Sequence, residues 1–266
     1  MYHSVTFGDK NTWDDWKLVA AERPFVAPPV PKTNMVDIPG ASSQLDFSEE
    51  LTGYPTYENR QGSIEFTITD QYLSHQEMKW RKKYEEIMTY IAGRHLHMIL
   101  EDDRDFYYEG RFSVEEYVPG SSSSDSYSKI TITYDVGPYK WAVLDSLDTG
   151  WLWDPFSFVD GVIIYSFVKD LPVNTTLKTL ELPKEIIGTA PFCPEFIVTN
   201  NGGSMELTII NSELGINVTK TLSSGTWTFY DVIFWSNALN NSKTILKYRT
   251  TSGTGTLSLR YRKGGL

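Results

Sequence analysis

The chain has 266 residues, of which 40% are hydrophobic, 14% aromatic and 22% charged, with a formal net charge of −10. That length and apolar content exclude global disorder and a need for metal or disulfide staples, and the acidity excludes nucleic acid held on a basic footprint. Cys193 is the sole cysteine, so neither an intrachain disulfide nor a thiolate zinc site can form.

Taken in chain order, the opening YHSVTF is short, alternating and β-branched, and reads as a strand. Trp13 and Trp16 follow a turn at residues 8–11. The stretch 23–40, RPFVAPPVPKTNMVDIPG, contains Pro24, Pro28, Pro29, Pro31 and Pro39. Proline fixes φ and removes the ladder donor, so a helix and a central strand are both excluded there. An extended arm is expected, lying either on its own domain or on a neighbour. GSIEFTIT at 62–69 alternates and predicts a half-buried strand.

One segment is helical by pattern. Ser74 with Glu77 fits a capping box, and Gly93 stands where a C′ glycine belongs. Between them Trp80, Tyr84, Ile87, Met88 and Ile91 recur at three- and four-residue spacing and define the expected inner face. Strands are expected at 95–100, 106–117 and 129–136, with an acidic turn at Asp102, Asp103 and Asp105 and a hairpin tip in GSSSSDS at 120–126.

Beyond residue 140 no helical period is sustained. Eight strands are predicted, at 162–168, 176–182, 195–199, 205–210, 217–222, 226–234, 243–248 and 256–262. NNGG, SSG and SGTG turn signals separate several of them. Spacing of about ten residues predicts an antiparallel sandwich. The longest apolar run, 162–168, falls well short of the roughly 20 residues that span a bilayer, so no membrane insertion is expected. The first residues also lack the basic and apolar segments of a secretion signal.

Charge is divided unevenly. Residues 1–140 carry 23 acidic and 14 basic side chains, a net of −9; residues 141–266 carry 11 and 10, a net of −1. This shift supports a domain boundary at residue 140, giving 1–140 and 141–266.

Few constellations suggest chemistry. His95 and His97 share one face of a predicted strand, but no HExxH or third histidine accompanies them, and they read as ordinary strand histidines. The pairs Glu49–Glu50, Glu85–Glu86 and Glu115–Glu116 point apart and cannot face each other across a glycosidase cleft. Cys193 sits between Phe192 and Pro194 with no basic neighbour to activate it. Nucleophile elbows, phosphate loops and dinucleotide fingerprints are absent from the sequence, and neither an enzyme nor a cofactor is expected. Trp227, Tyr230 and Trp235 form a candidate sugar platform, with core packing as the competing use of the same aromatics.

Several stretches resemble the distal tail protein (Dit) family of long-tailed bacteriophages. They are the proline-rich arm with K-T-N-x-V-D-I-P-G, the S-x-L-D-x-[ST]-E strand and the N-R-x-x-x-x-E-F-x-I strand. To these are added a helix ending in glycine before IAGRHLHMILEDDRDFYYEGRF, and the closing TSGTGTLSLRYRKGGL. The resemblance implies a mainly β protein with one helix: an N-terminal α+β ring-forming domain and a C-terminal galectin-like antiparallel β-sandwich. It further implies a homo-hexameric hub at the distal end of the virion tail. The partners implied are the major tail tube protein, a tail-associated hub or fibre protein and receptor-binding proteins, with DNA only in transit. Pro28, Pro29, Pro31, Lys32, Asn34, Pro39 and Gly40 would form an oligomer-interface strap. An acidic N-terminal half suits a channel that must not hold phosphates. The competing function is a lectin-like host-recognition protein that uses the C-terminal sandwich.

Overall fold

The computed structural model describes residues 3–40, 42–69, 77–118, 128–148, 156–157, 162–163, 168–237 and 243–266. The protein is mainly β, and the strands of its main sheets pair antiparallel. Its contacts divide it into two units: Met1–Lys32 with Tyr57–Lys140, and Thr33–Thr56 with Trp141–Leu266.

The first unit carries β1 (Val5–Phe7), β2 (Lys10–Asn11) and β3 (Leu18–Ala20). The second unit's hairpin, β4 (Met35–Val36) and β5 (Leu45–Asp46), comes next in the chain. The first unit resumes with β6 (Arg60–Ile68), α1 (Glu77–Ile91), β7 (His95–Leu100), β8 (Phe106–Val118) and β9 (Lys129–Val136). Its sheet runs β2-β1-β7-β8-β9-β6-β3. Alternation sorts the two faces of this sheet. Ile64, Phe66, Ile68, Phe112, Ile130, Ile132 and Val136 point inward with Ile87 and Ile91 of α1, while the opposite face is polar. β8 and β9 approach so closely at Gly110 that a Cβ there would stand 2.1 Å from the Asp135 carbonyl oxygen.

The inward stripe of α1 is rotated from the expected one. Ile87 and Ile91 are buried and Tyr84 packs on the core, but Met88 is 37% exposed and Tyr90 takes the inner place. The Tyr90 ring meets Trp16 edge-on at 5.6 Å. Its hydroxyl proton is shared between two acceptors in reach, the Asp9 carboxylate and the Phe7 carbonyl at 3.1 Å, and its oxygen accepts from the Asp9 N–H. A tyrosine with such partners outcompetes a flexible methionine for the buried side of a helix. Gly93 has φ +66° and ends α1, and its N–H donates to the Phe112 carbonyl. The Ser74 cap, the Trp80 side chain and the tip at 120–126 lie outside the described residues.

The second unit continues with β10 (Lys140–Ala142), which starts in the first unit, then the pair β11 (Phe156–Ser157) and β12 (Val162–Ile163). A sandwich follows: β13 (Leu171–Val173), β14 (Lys178–Leu182), α2 (Lys184–Ile187), β15 (Glu195–Asn201), β16 (Met205–Asn211), β17 (Ile216–Leu222), β18 (Gly225–Thr228), β19 (Thr244–Thr250) and β20 (Thr254–Arg260). Its two sheets run β13-β20-β15-β18 and β14-β19-β16-β17. Phe196, Val198, Leu257 and Leu259 of one sheet close on Leu207, Ile209, Leu246 and Tyr248 of the other. The terminal β21 (Gly264–Gly265) pairs with β10.

Two expectations about this half change, and a third is described only in part. The strand expected at 226–234 ends at Thr228, where the chain turns and drops Phe229, Val232 and Phe234 into the core. A strand not foreseen, β13, borders β20 and carries Pro172. Of the run 162–168, only Val162–Ile163 is described as strand, and residues 164–167 lie outside the described residues.

Candidate functional site

Two surfaces stand out once the core is assigned. The first is the polar outer face of the first unit's sheet, where neighbouring strands supply His97 and Glu109, then His95, Arg111, Asp135 and Gln61, then Ser113, Thr133 and Ser63. Cross-strand bonds tie it together. Asp135 accepts from Asn59 at 2.8 Å and from Gln61 at 3.0 Å, the Ser113 and Thr133 hydroxyls meet at 2.8 Å, and Lys129 reaches Glu65 at 2.7 Å. Among the described side chains this face carries Glu65, Glu109, Glu115 and Asp135 against Arg111 and Lys129, a modest acidic excess.

The acidity of residues 1–140 is spent partly elsewhere. Glu101, Asp102 and Asp103 form a 3-10 turn whose carboxylates are all engaged. Glu101 accepts from the Ser4 N–H and hydroxyl and from Arg104. Asp102 meets Arg23 and His3, and Asp103 meets Lys140. These bonds hold the Glu101 and Asp102 carboxyls below the usual range. For Glu101 the Ser4 N–H is the leading cause, and for Asp102 it is the Arg23 hydrogen bond.

His95 and His97 share the outer face as expected, flanking one oxygen of Glu109 at 3.5 and 3.7 Å. His97 also stacks on Tyr107 at 4.1 Å. No group of three ligating side chains among the described residues is placed to hold a metal ion. Burial pushes the Cys193 thiol pKa up, with Asp231 adding to the shift, which opposes thiolate chemistry. No helix among the described residues is long and apolar enough to cross a membrane.

The second surface is the arm. Pro28, Pro29, Pro31 and Lys32 belong to the first unit; Asn34, Pro39 and Gly40 belong to the second. Arg60, itself buried, anchors the arm's start. Its guanidinium donates to the Pro138 carbonyl at 2.6 and 2.8 Å and to the Ala27 carbonyl at 3.2 Å, and lies 5.3 Å from the centre of the Tyr108 ring. Pro31 bridges to Tyr57, and the Glu58 N–H donates to the Val30 carbonyl. Past Lys32 the chain forms the β4–β5 hairpin, with Met35, Val36, Ile38, Leu45, Phe47 and Leu51 all exposed. At its end the Tyr54 ring packs against Trp235, with centroids 5.7 Å apart and planes tilted by 34°. So many large apolar side chains exposed over one short stretch are uncommon on a folded chain.

The three aromatics of the candidate sugar platform are not equivalent. Tyr230 is 85% exposed and Trp227 is 36% exposed, but Trp235 is 8% exposed beneath Tyr54 and presents no face to solvent. The Trp227 indole N–H donates to the Ser223 carbonyl at 3.0 Å.

No family model and no curated protein matches the chain. Among solved structures it is similar to the Dit protein of phage SPP1, described as a paradigm of the hub adsorption apparatus in phages that infect Gram-positive bacteria. The TM-score is 0.57 at 11% identity, over 100% of both chains. The structures of the phage P2 baseplate in its activated conformation give TM-scores of 0.36 with Ca and 0.32 with Sr. The first covers 95% of this chain and 100% of its counterpart at 11% identity, the second 97% and 98% at 9%. The chain therefore shares its fold, from end to end, with the SPP1 protein.

Proposed function

We propose that the protein is a structural, non-enzymatic hub of a bacteriophage tail tip, located in the virion at the distal end of the tail. It assembles as a sixfold ring that joins the tail tube to hub, fibre and receptor-binding proteins and lets DNA pass through its centre. The observation that carries this reading is the full-length fold similarity to SPP1 Dit, with both units matched and no segment left over. The exposed apolar hairpin supplies what a ring needs: a surface that water penalises until another chain covers it. The polar, slightly acidic face lines the channel, since it offers DNA hydrogen-bonding groups but no net positive charge.

The experiment is light scattering on purified protein with negative-stain imaging, before and after deletion of Pro28–Pro31. The intact chain gives a ring of six times its 30.4 kDa mass, and the deletion gives folded monomers. Hexamers that survive the deletion would remove the strap from the interface. A monomer that never forms a ring, alone or with its tail partners, would sink the hub reading itself.

The high exposure of Tyr230 keeps a carbohydrate reading in view, now resting on Tyr230 and Trp227 without Trp235. Saturable binding on a glycan array, lost on Trp227→Ala or Tyr230→Ala, would favour it.

A further inference from the structure

β6 has an unfinished edge. The Ile68 N–H donates to the Ser128 carbonyl, so even-numbered residues of β6 turn their backbone groups toward β9 and odd-numbered ones turn away. On the far side β3 pairs with Phe66–Ile68 only, and the Ala21 N–H takes the Glu65 carbonyl. The chain then leaves the edge, and the Phe25 carbonyl lies under the inner face, 3.5 Å from the Tyr134 hydroxyl. Among the described residues no strand pairs with 61–64 on that side. Ser63 therefore presents its N–H and C=O outward. They open on a cavity of about 370 Å³ lined by Ala21, Arg23, Phe25, Ser63, Ile64 and Glu65, among others, and Phe25 is 72% exposed beside it.

The β4–β5 hairpin has the complementary edge. The Phe47 N–H donates to the Asn34 carbonyl, and Met35 lies opposite Asp46. Alternation makes Met35 and Asp46 the non-hydrogen-bonded pair, so the backbone groups of Asp46 point out of the hairpin. Leu45 and Phe47 fall on one face of β5 and Asp46 on the other, all three of them exposed.

We infer that β5 of a neighbouring copy adds antiparallel to the free edge of β6, with Asp46 opposite Ser63. This rests on the ring reading and names the surface that closes it. In that register Leu45 falls beside Ile64 and Phe47 beside Gly62, on the apolar side next to Phe25. Gly62 has no side chain to obstruct it, and the Tyr134 ring already lies across that position. Asp46 and Ser63 share the polar outer face. A slip of one residue would put Leu45 and Phe47 on the polar face and Asp46 on the apolar one, so the pattern fixes the register. The outward edge of β4 fits less well, because pairing through Met35 would place its side chain on the polar face. Each copy donates one hairpin and receives another, a head-to-tail contact that closes into a ring.

The test uses the full chain with Cys193→Ser, so that introduced thiols are the only ones. Ser63 and Asp46 are both exposed, and Ser63→Cys and Asp46→Cys leave the core intact; unchanged melting of each variant checks this. A hydrogen-bonded antiparallel pair sets its Cα atoms about 5.5 Å apart, within disulfide reach. Under mild oxidation the double variant should give a covalent ladder up to six chains, and a mixture of the two single variants should give dimers only. A disulfide within one chain overturns the inference. Rings of full mass without cross-links also overturn it while leaving the hub reading intact; absence of rings overturns both.

Discussion

Arg60 shows how one side chain can organise a crossing of the backbone. It is buried without a carboxylate partner, and burial lowers its pKa from the usual arginine value, yet a guanidinium stays charged and has enough donors for two carbonyls. Arg60→Met should cost about 2 kcal/mol in denaturant unfolding, because the Pro138 and Ala27 carbonyls lose charged donors. Arg60→Lys should recover little, since one ammonium cannot reproduce the fork; full recovery would show that charge alone matters. Glu101 makes the corresponding case for a carboxylate. Its pKa is depressed in the folded protein, so the unfolded chain binds more protons as pH falls below the ordinary value near 4.5. The stabilisation is complete above that value and is lost as pH drops through the folded pKa. Glu101→Gln should flatten the loss of melting temperature below pH 4.5, and an unchanged pH profile would contradict this. Neither partnership can be read from sequence. Ser4 is 97 residues from Glu101, and Pro138 is 78 from Arg60.

At the level of elements, strand patterns were the most legible feature. The strands at 95–100 and 129–136 stand where alternation places them, because a half-buried antiparallel strand writes its burial into every second residue. Two elements depart from pattern for physical reasons. The helix turns Tyr90 rather than Met88 inward because Trp16 and Asp9, distant in sequence, reward a tyrosine there. The strand expected at 226–234 stops early because Phe229 is needed in the core, beside Phe196 and under the Lys220 ammonium. The hairpin is tied down by the Tyr54–Trp235 ring contact, with Leu214 3.2 Å from where a Cβ on Gly53 would sit. Tyr54→Ala should therefore speed amide exchange across 45–56 while leaving the global unfolding transition in place. Loss of the whole fold instead would mean that the hairpin is part of the second core.

For the whole molecule, the charge division between the halves has a narrower meaning than the totals suggest. The described outer face carries four acids and two bases, and three of the remaining acids are committed to the turn at 101–103. A channel lined by this face would let DNA slide because it lacks excess positive charge, not because it is strongly negative. Reversing Glu65, Glu109 and Asp135 to lysine should create DNA binding that weakens steeply with salt, measured by fluorescence anisotropy on duplex DNA. No binding at low salt would show that the face does not govern contact with DNA.

The sequence by itself determined the β-rich class, the helix, the arm's inability to be a helix or central strand, and the lack of cysteine pairs. These follow from local rules: side-chain period, proline geometry and composition. Only the tertiary structure decided which aromatics are spent in cores, that Trp235 lies under Tyr54, that Arg60 clasps two distant carbonyls, and that no described strand pairs with the far side of β6 at 61–64. Each of these depends on which distant residue arrives alongside. A side chain's exposure and a strand's missing neighbour are properties of packing, and no local pattern encodes them.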